Sequence, residues 1–250
     1  MNPQTKQRVI DSFSSDNSVS KYSRDTEMGL WKSEEILIDK YFEKDSTVLD
    51  LGCGIGRTTF PLAEKGYNVT GVDVTPRFIE LANKRAEDKK VSIALMVGDA
   101  CSLDFPDNYF DNILFSFNGW SMIPTQEARL DAAKEIYRVL KPNGKYIFTV
   151  HKRLFFGQEL TWTIQFIKLY ILKPLGYKTL EKDFGDFYFT RDSETSYPIS
   201  QFVNFMDVNA VKKLHENLGY KCLLMQMRDE ITKDDDKLTS GNVMFFVFQK

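Results

Sequence analysis

The sequence predicts a doubly wound α/β domain on a mostly parallel sheet. From Thr47 onward, short β-branched runs alternate with longer helical patterns, which implies parallel strands joined by right-handed crossovers. A glycine-rich turn closes the first of those strands. Two late apolar runs can pair as a hairpin, completing seven strands with one antiparallel to the rest.

Composition narrows the class before any motif does. A chain of 250 residues with 42% apolar and 27% charged residues can bury a full core as one large domain. Thirty-three Lys and Arg stand against thirty-five Asp and Glu, so no bulk charge draws the chain to nucleic acid. Cys53, Cys101 and Cys222 are too few and too scattered for a disulfide framework or a zinc site. That usage favours a reducing compartment, and no metal is expected. The N-terminal stretch is polar and lacks the apolar core of a signal peptide. No apolar run approaches the roughly 18 residues of a membrane span. The expectation is a cytoplasmic protein without a membrane span, monomeric or homodimeric.

The elements follow in order. The first forty-odd residues read as one or two helices, with Leu30, Ile36, Leu37 and Tyr41 as a packing face. Thr47 to Leu51 is a buried strand, followed by the glycine turn and a helix to about Lys65. Asn68 to Asp73 is the second strand, and Pro76 suits the first turn of a helix reaching about Lys89. Val91–Val97 and Phe110–Phe117 are the third and fourth strands. A helix from about Thr125 to Leu140 stops at Lys141-Pro-Asn-Gly144, and Lys145–Val150 is the fifth strand. The rhythm then breaks, because residues 151–205 hold 13 aromatics in 55 positions against 14% for the chain. That stretch reads as an insertion packed over the sheet. The pattern resumes with a helix from Asp207 to Leu218, then strands over Tyr220–Ile231 and Val243–Phe248. The divisions are a helical cap over 1–44, a ligand-binding core over 45–151, a lid insertion over 152–205, and a closing helix and strand pair over 206–250.

The most specific feature is Val48-Leu-Asp-Leu-Gly-Cys-Gly-Ile-Gly-Arg57. Gly52 and Gly54 let the chain turn sharply and a ligand come close, and the following helix offers unpaired N–H groups. A dinucleotide fingerprint would place its third glycine at position 57, where this chain has arginine. Pyrophosphate binding is disfavoured on that ground, and with it a nicotinamide-dependent oxidoreductase.

Asp50-Leu-Gly-Cys-Gly-Ile-Gly56 resembles the first motif of class I S-adenosylmethionine-dependent methyltransferases, whose sheet is Rossmann-like. Gly71-Val-Asp73 with Thr75-Pro-x-Phe-Ile-Glu-Leu-Ala82 resembles the second strand and its acidic tip. Gly98-Asp-Ala100 with Leu103-x-Phe-Pro-Asp-x-Tyr-Phe-Asp111 resembles the adenine-side loop, and Leu140-Lys-Pro-Asn-Gly144 the late motif. The resemblance implies S-adenosyl-L-methionine as cofactor and a role for each matching residue. Gly52 and Gly54 make room for its methionine part and sugar, with Asp50 beneath the loop. Asp73 accepts from the ribose hydroxyls, unless it is a solvated strand end. Asp99 accepts from the adenine amino group, or is a helix cap, and Ala100 offers a backbone N–H. Val74 and Phe78 pack near adenine or in ordinary core. Phe117, Asn118 and Gly119 lie where cofactor and substrate meet. Arg57 is a ligand to the cofactor carboxylate or an exposed helix-start residue. Tyr22 and Trp31 resemble a segment folding over the cofactor, or they pack the first helix.

Methyl transfer asks mainly for in-line alignment and exclusion of water, and a base only where the acceptor must lose a proton. His151, at the carboxyl edge after the fifth strand, is the candidate, or else a polar strand-end residue. His215 is expected to face solvent. Leu160 to Leu172 is read as an apolar lid helix, an oligomer contact or a membrane-surface helix. Arg191, in the polar run Thr190–Pro198, could hold an anionic substrate group. The leading expectation is methylation of a small molecule. An RNA or protein methyltransferase, and a non-catalytic cofactor-binding protein, stand beside it.

Overall fold

The computed structural model describes residues 3–190, 200–235 and 241–250. Three helices lead into the sheet: α1 (Pro3–Phe13), α2 (Asp16–Asp25) and α3 (Lys32–Tyr41). The buried face of α3 is Ser33, Glu34, Leu37 and Ile38. Ile36, expected on that face, is exposed, because residues 36 and 38 point to different sides of a helix.

The alternating part runs β1 (Thr47–Leu51), α4 (Thr59–Glu64), β2 (Asn68–Asp73), α5 (Pro76–Lys89), β3 (Ala94–Val97), β4 (Phe110–Phe115), α6 (Gln126–Val139) and β5 (Leu140–His151). The insertion holds α7 (Glu159–Ile167), which runs into a wider helical turn over Lys168–Leu172, and a hairpin of β6 (Asp186–Thr190) and β7 (Ser200–Asn204). The chain closes with α8 (Val208–Asn217), β8 (Lys221–Met227), the short α9 (Arg228–Ile231) and β9 (Val243–Gln249).

Seven strands form one sheet in the order β3-β2-β1-β4-β5-β9-β8, with β9 antiparallel to both neighbours and the pairs from β3 across to β5 parallel. The strand order reverses between β1 and β4, and in open α/β sheets the crevice beyond that reversal binds ligands. Both faces of the sheet are covered. Tyr146, Phe148, Phe246 and Phe248 join one apolar cluster, while Ile147, Phe245 and Val247 join the other. That two-sided burial is why β9 reads as an unbroken apolar run.

Several boundaries differ from expectation for identifiable reasons. Strand β4 ends at Phe115 because Phe117 and Asn118 adopt left-handed backbone angles, φ 52° and 60°. The ladder between β4 and β5 jumps from Phe110–Leu140 to Asn112–Lys145, so Lys141–Gly144 bulges within a longer strand. The strand after Tyr220 stops at Met227, where Glu230 accepts from the Met227 N–H and starts α9.

Candidate functional site

The loop after β1 turns on Gly52, whose φ of +66° is left-handed. A Cβ there would lie 2.8 Å from the Phe115 ring, so only glycine fits this turn. Beneath the loop, the Asp50 carboxylate accepts from the hydroxyls of Thr58 (2.7 Å) and Thr59 (2.6 Å). Burial pushes Asp50 up to about 6 against those two hydrogen bonds. Asp50 therefore fastens the loop from behind and does not line the crevice.

Across the loop, Asp73 ends β2 and accepts from the N–H groups of Gly54 (2.9 Å) and Thr75 (2.8 Å). Burial raises its pKa against those bonds. Val74 and Phe78 continue the same wall. Asp99 and Ala100 form the far end. Asp99 accepts from the Cys101 N–H (2.9 Å) and pairs with Lys6 of α1 (3.1 Å). Burial pushes the Asp99 carboxyl up, but these partners outweigh it and hold the pKa below the ordinary range.

The roof is aromatic. Tyr22 lies 5.3 Å from Phe78 and 6.0 Å from Phe117, ring centre to ring centre, and Phe13 adds a fourth ring from α1. Gly119 completes that side. Together these walls line one crevice that is open at its mouth.

Arg57 also reaches the cavity, but its guanidinium is buried and engaged. It forms a two-point ion pair with Glu34 (2.7 and 2.8 Å) and donates to the Gly29 carbonyl and Ser116 Oγ. The expectation of an exposed helix-start arginine is thus corrected. Glu34 also accepts from the Trp31 N–H and the Ser116 hydroxyl. Nothing in the sequence singled Glu34 out, because its partner lies 23 positions away.

Other expected residues stand elsewhere. Trp31 packs in the core against Phe117 and Arg57 and does not line this cavity. Asn118 is buried, with its N–H donated to Thr149 Oγ1 and its side chain outside the cavity wall. His151 likewise stays out of the cavity. Its ring meets Asn242 at 3.3 Å and Phe205 at 5.7 Å, and burial lowers its pKa. His215 is fully buried rather than exposed. It stacks on Phe248 at 4.7 Å and lies beside Trp120 and Phe148. Arg191 lies outside the described residues.

A second cavity adjoins the first, and Val9, Phe13 and Met122 line both. Its other walls come from α1, Pro124, Leu180 and the β6–β7 hairpin through Asp186, Tyr188 and Phe202. The expectation of a lid helix over the site is corrected in part, since the hairpin lines this cavity while residues 160–172 line neither.

Known proteins similar to this chain share its central domain and its fold. Residues 48–144 match the family described as "Methyltransferase domain". Residues 48–144 carry a methyltransferase domain. A demethylmenaquinone methyltransferase of Symbiobacterium thermophilum is 35% identical over 127 residues, 48% of this chain and 49% of that one. A 2-methyl-6-phytyl-1,4-hydroquinone methyltransferase of Synechocystis is 38% identical over 100 residues, covering 40% and 30%. The chain spans about half the length of the first curated relatives it matches. The fold of the methyltransferase domain and its additions is similar to a SAM-dependent methyltransferase from Methanosarcina mazei, with TM-score 0.70 and 23% identity over 89% of this chain and 98% of that one. Among the described residues, no helix is long and apolar enough to cross a membrane.

Proposed function

We propose that the protein transfers a methyl group from S-adenosyl-L-methionine to a small apolar acceptor held in the second cavity. The observation that carries this reading is the shared wall of Val9, Phe13 and Met122 between the two cavities. Two ligands could meet there, one on each side.

The first cavity has the donors and acceptors this cofactor asks for. The tight turn at Gly52, where a Cβ would strike the Phe115 ring, brings the loop backbone to the cavity wall. Asp25 lines the cavity, and its buried Oδ2 makes no hydrogen bond and has Lys21 Nζ at 3.9 Å, which leaves a lone pair for the cofactor's ammonium. Asp73 and Asp99 retain lone pairs for ribose hydroxyls and the adenine amino group. The bound cofactor supplies an electrophilic methyl on a sulfonium centre. The chain's own part is to orient and to exclude water. Tyr22, Phe13 and Phe117 cover the crevice, and the loop after β4 sets the angle between donor and acceptor. Neither histidine lines either cavity, so the reading does not include His151 as a base.

The acceptor is read from the second cavity's walls. Phe202 and Pro124 are buried apolar surfaces there, while Arg8 and Lys182 stand with Asp11 and Asp186 as charges of both signs. That combination suits an apolar body with a polar end. The matched relatives named for quinone and hydroquinone substrates support a small-molecule acceptor. The testing experiment incubates the protein with labelled cofactor and a panel of small metabolites, read by mass spectrometry. Transfer to at least one apolar acceptor is expected, with calorimetric binding of S-adenosylhomocysteine and none of NAD. Tight NAD binding without response to S-adenosylhomocysteine would overturn the reading.

A further inference from the structure

We infer that the outer face of the insertion docks the protein on anionic lipid bilayers. Of the eighteen large apolar side chains exposed among the described residues, twelve fall between Leu154 and Leu180. Scattered, such residues need no explanation, but gathered on one segment they mark an interaction surface.

The orientation of α7 is fixed from inside. Trp162 Nε1 donates to the Leu154 carbonyl (2.7 Å), and the Gln165 side chain bonds the Asp186 carbonyl and the Gly185 N–H (both 2.7 Å). With Leu169, these residues make the buried face of the segment. Leu160, Ile164, Ile167 and Ile171 follow at spacings of four, three and four, on the side opposite those anchors. A helix facing water would carry charge there, yet Leu160 is 74% exposed and Phe156, before it, 96%.

Charge selects the occupant. Between Leu154 and Leu180, Lys168, Lys173 and Lys178 stand against Glu159, and Glu181 just beyond pairs with Lys168 at 3.7 Å, which still leaves the segment net positive in a chain of net charge −2. Two copies paired through this face would set lysines against lysines. A leaflet of anionic headgroups neutralises them while its acyl boundary takes the aliphatic stripe. Exposed Tyr170 and Tyr177 are the ring type that settles at headgroup level. Leu180 belongs to this apolar set and also lines the second cavity, so docking brings that cavity's edge to the bilayer. Docking stands apart from the methyl-transfer reading; only uptake of an acceptor from the bilayer rests on it.

The test is co-sedimentation with phosphatidylcholine vesicles, with and without about 30% phosphatidylglycerol. The wild-type protein is expected to pellet with the anionic vesicles and to be released by raised salt. The Leu160→Glu/Ile164→Glu/Ile167→Glu variant should partition at least about tenfold more weakly, with its thermal transition unchanged. Lys168→Glu/Lys173→Glu, which leaves the aliphatic stripe intact, should weaken binding in the same direction and serves if the triple variant does not fold. Wild-type protein that stays in the supernatant, or folded variants that pellet as well as wild type, would overturn the proposal. So would a wild-type dimer that the triple variant converts to monomer without any vesicle binding. Absence of S-adenosylhomocysteine binding would sink the methyltransferase reading and leave the vesicle result standing.

Discussion

Asp73 and Glu34 show how differently two buried carboxylates serve one loop. Asp73 takes N–H groups of the loop and of the α5 start, and keeps lone pairs toward the cavity. Asp73→Asn should therefore fold and bind S-adenosylhomocysteine more weakly by about 1.5–3 kcal/mol, the worth of hydrogen bonds to a charged group; calorimetry reads the change. Glu34 faces inward, holding Arg57 by two hydrogen bonds with no exposure of its own. Removing one partner of such a pair strands the other charge in the core. Glu34→Ala is expected to cost about 3–5 kcal/mol of stability in urea unfolding. A loss below about 1 kcal/mol would show that Arg57 finds water or another acceptor.

At the scale of elements, α8 seats on the sheet through His215, whose Nδ1 lies 2.8 Å from the Val211 carbonyl. Burial among aromatic rings pulls its pKa from the ordinary 6.5 to about 4. A base depressed in the folded state contributes stability that is whole above about 6.5 and is lost as pH falls toward about 4. Asp50, raised to about 6, acts in the opposite sense over part of that range. The difference between wild type and His215→Phe isolates the histidine. In urea unfolding, wild type should lose up to about 1.4 kcal/mol more per pH unit than the variant between pH 6 and 5; parallel curves would refute the burial account. The sequence could not reveal this, because Lys212, Lys213 and Glu216 around it made the helix look solvated. The sheet was legible, since strand runs, Pro76 and the glycine turn are local signals. The Asp73 and Asp99 ends of the crevice were legible too, as each ends a strand or opens a turn in a recognisable motif. The second cavity was not, because its walls come from α1, the loop after β4 and the β6–β7 hairpin, segments far apart in sequence. The helix over 160–172 misled for a related reason: apolar composition reveals that a face wants covering, not what covers it.

For the molecule as a whole, the decisive arrangement is the pair of cavities meeting at Val9, Phe13 and Met122. A helix from the N-terminus and a turn from the sheet's carboxyl edge thus define one junction, where on the proposed reading donor and acceptor align within a few tenths of an ångström. Met122 is the best place to test this, because it is only partly buried and sits on the turn after β4 rather than in the core. Met122→Trp should fill the junction from the acceptor's side. The cofactor contacts proposed at Asp73, Asp99 and the glycine loop remain, so affinity for S-adenosylhomocysteine should stay within about tenfold, or 1.4 kcal/mol. Methyl transfer to the acceptor found by the metabolite panel should fall about a hundredfold or more, since an ångström-scale misplacement alone costs that much. Steady-state rates with saturating acceptor, set beside calorimetry on the same variant, separate the two effects. A variant that transfers methyl groups at the original rate would mean the acceptor approaches from another side, and the second cavity would lose its assigned role.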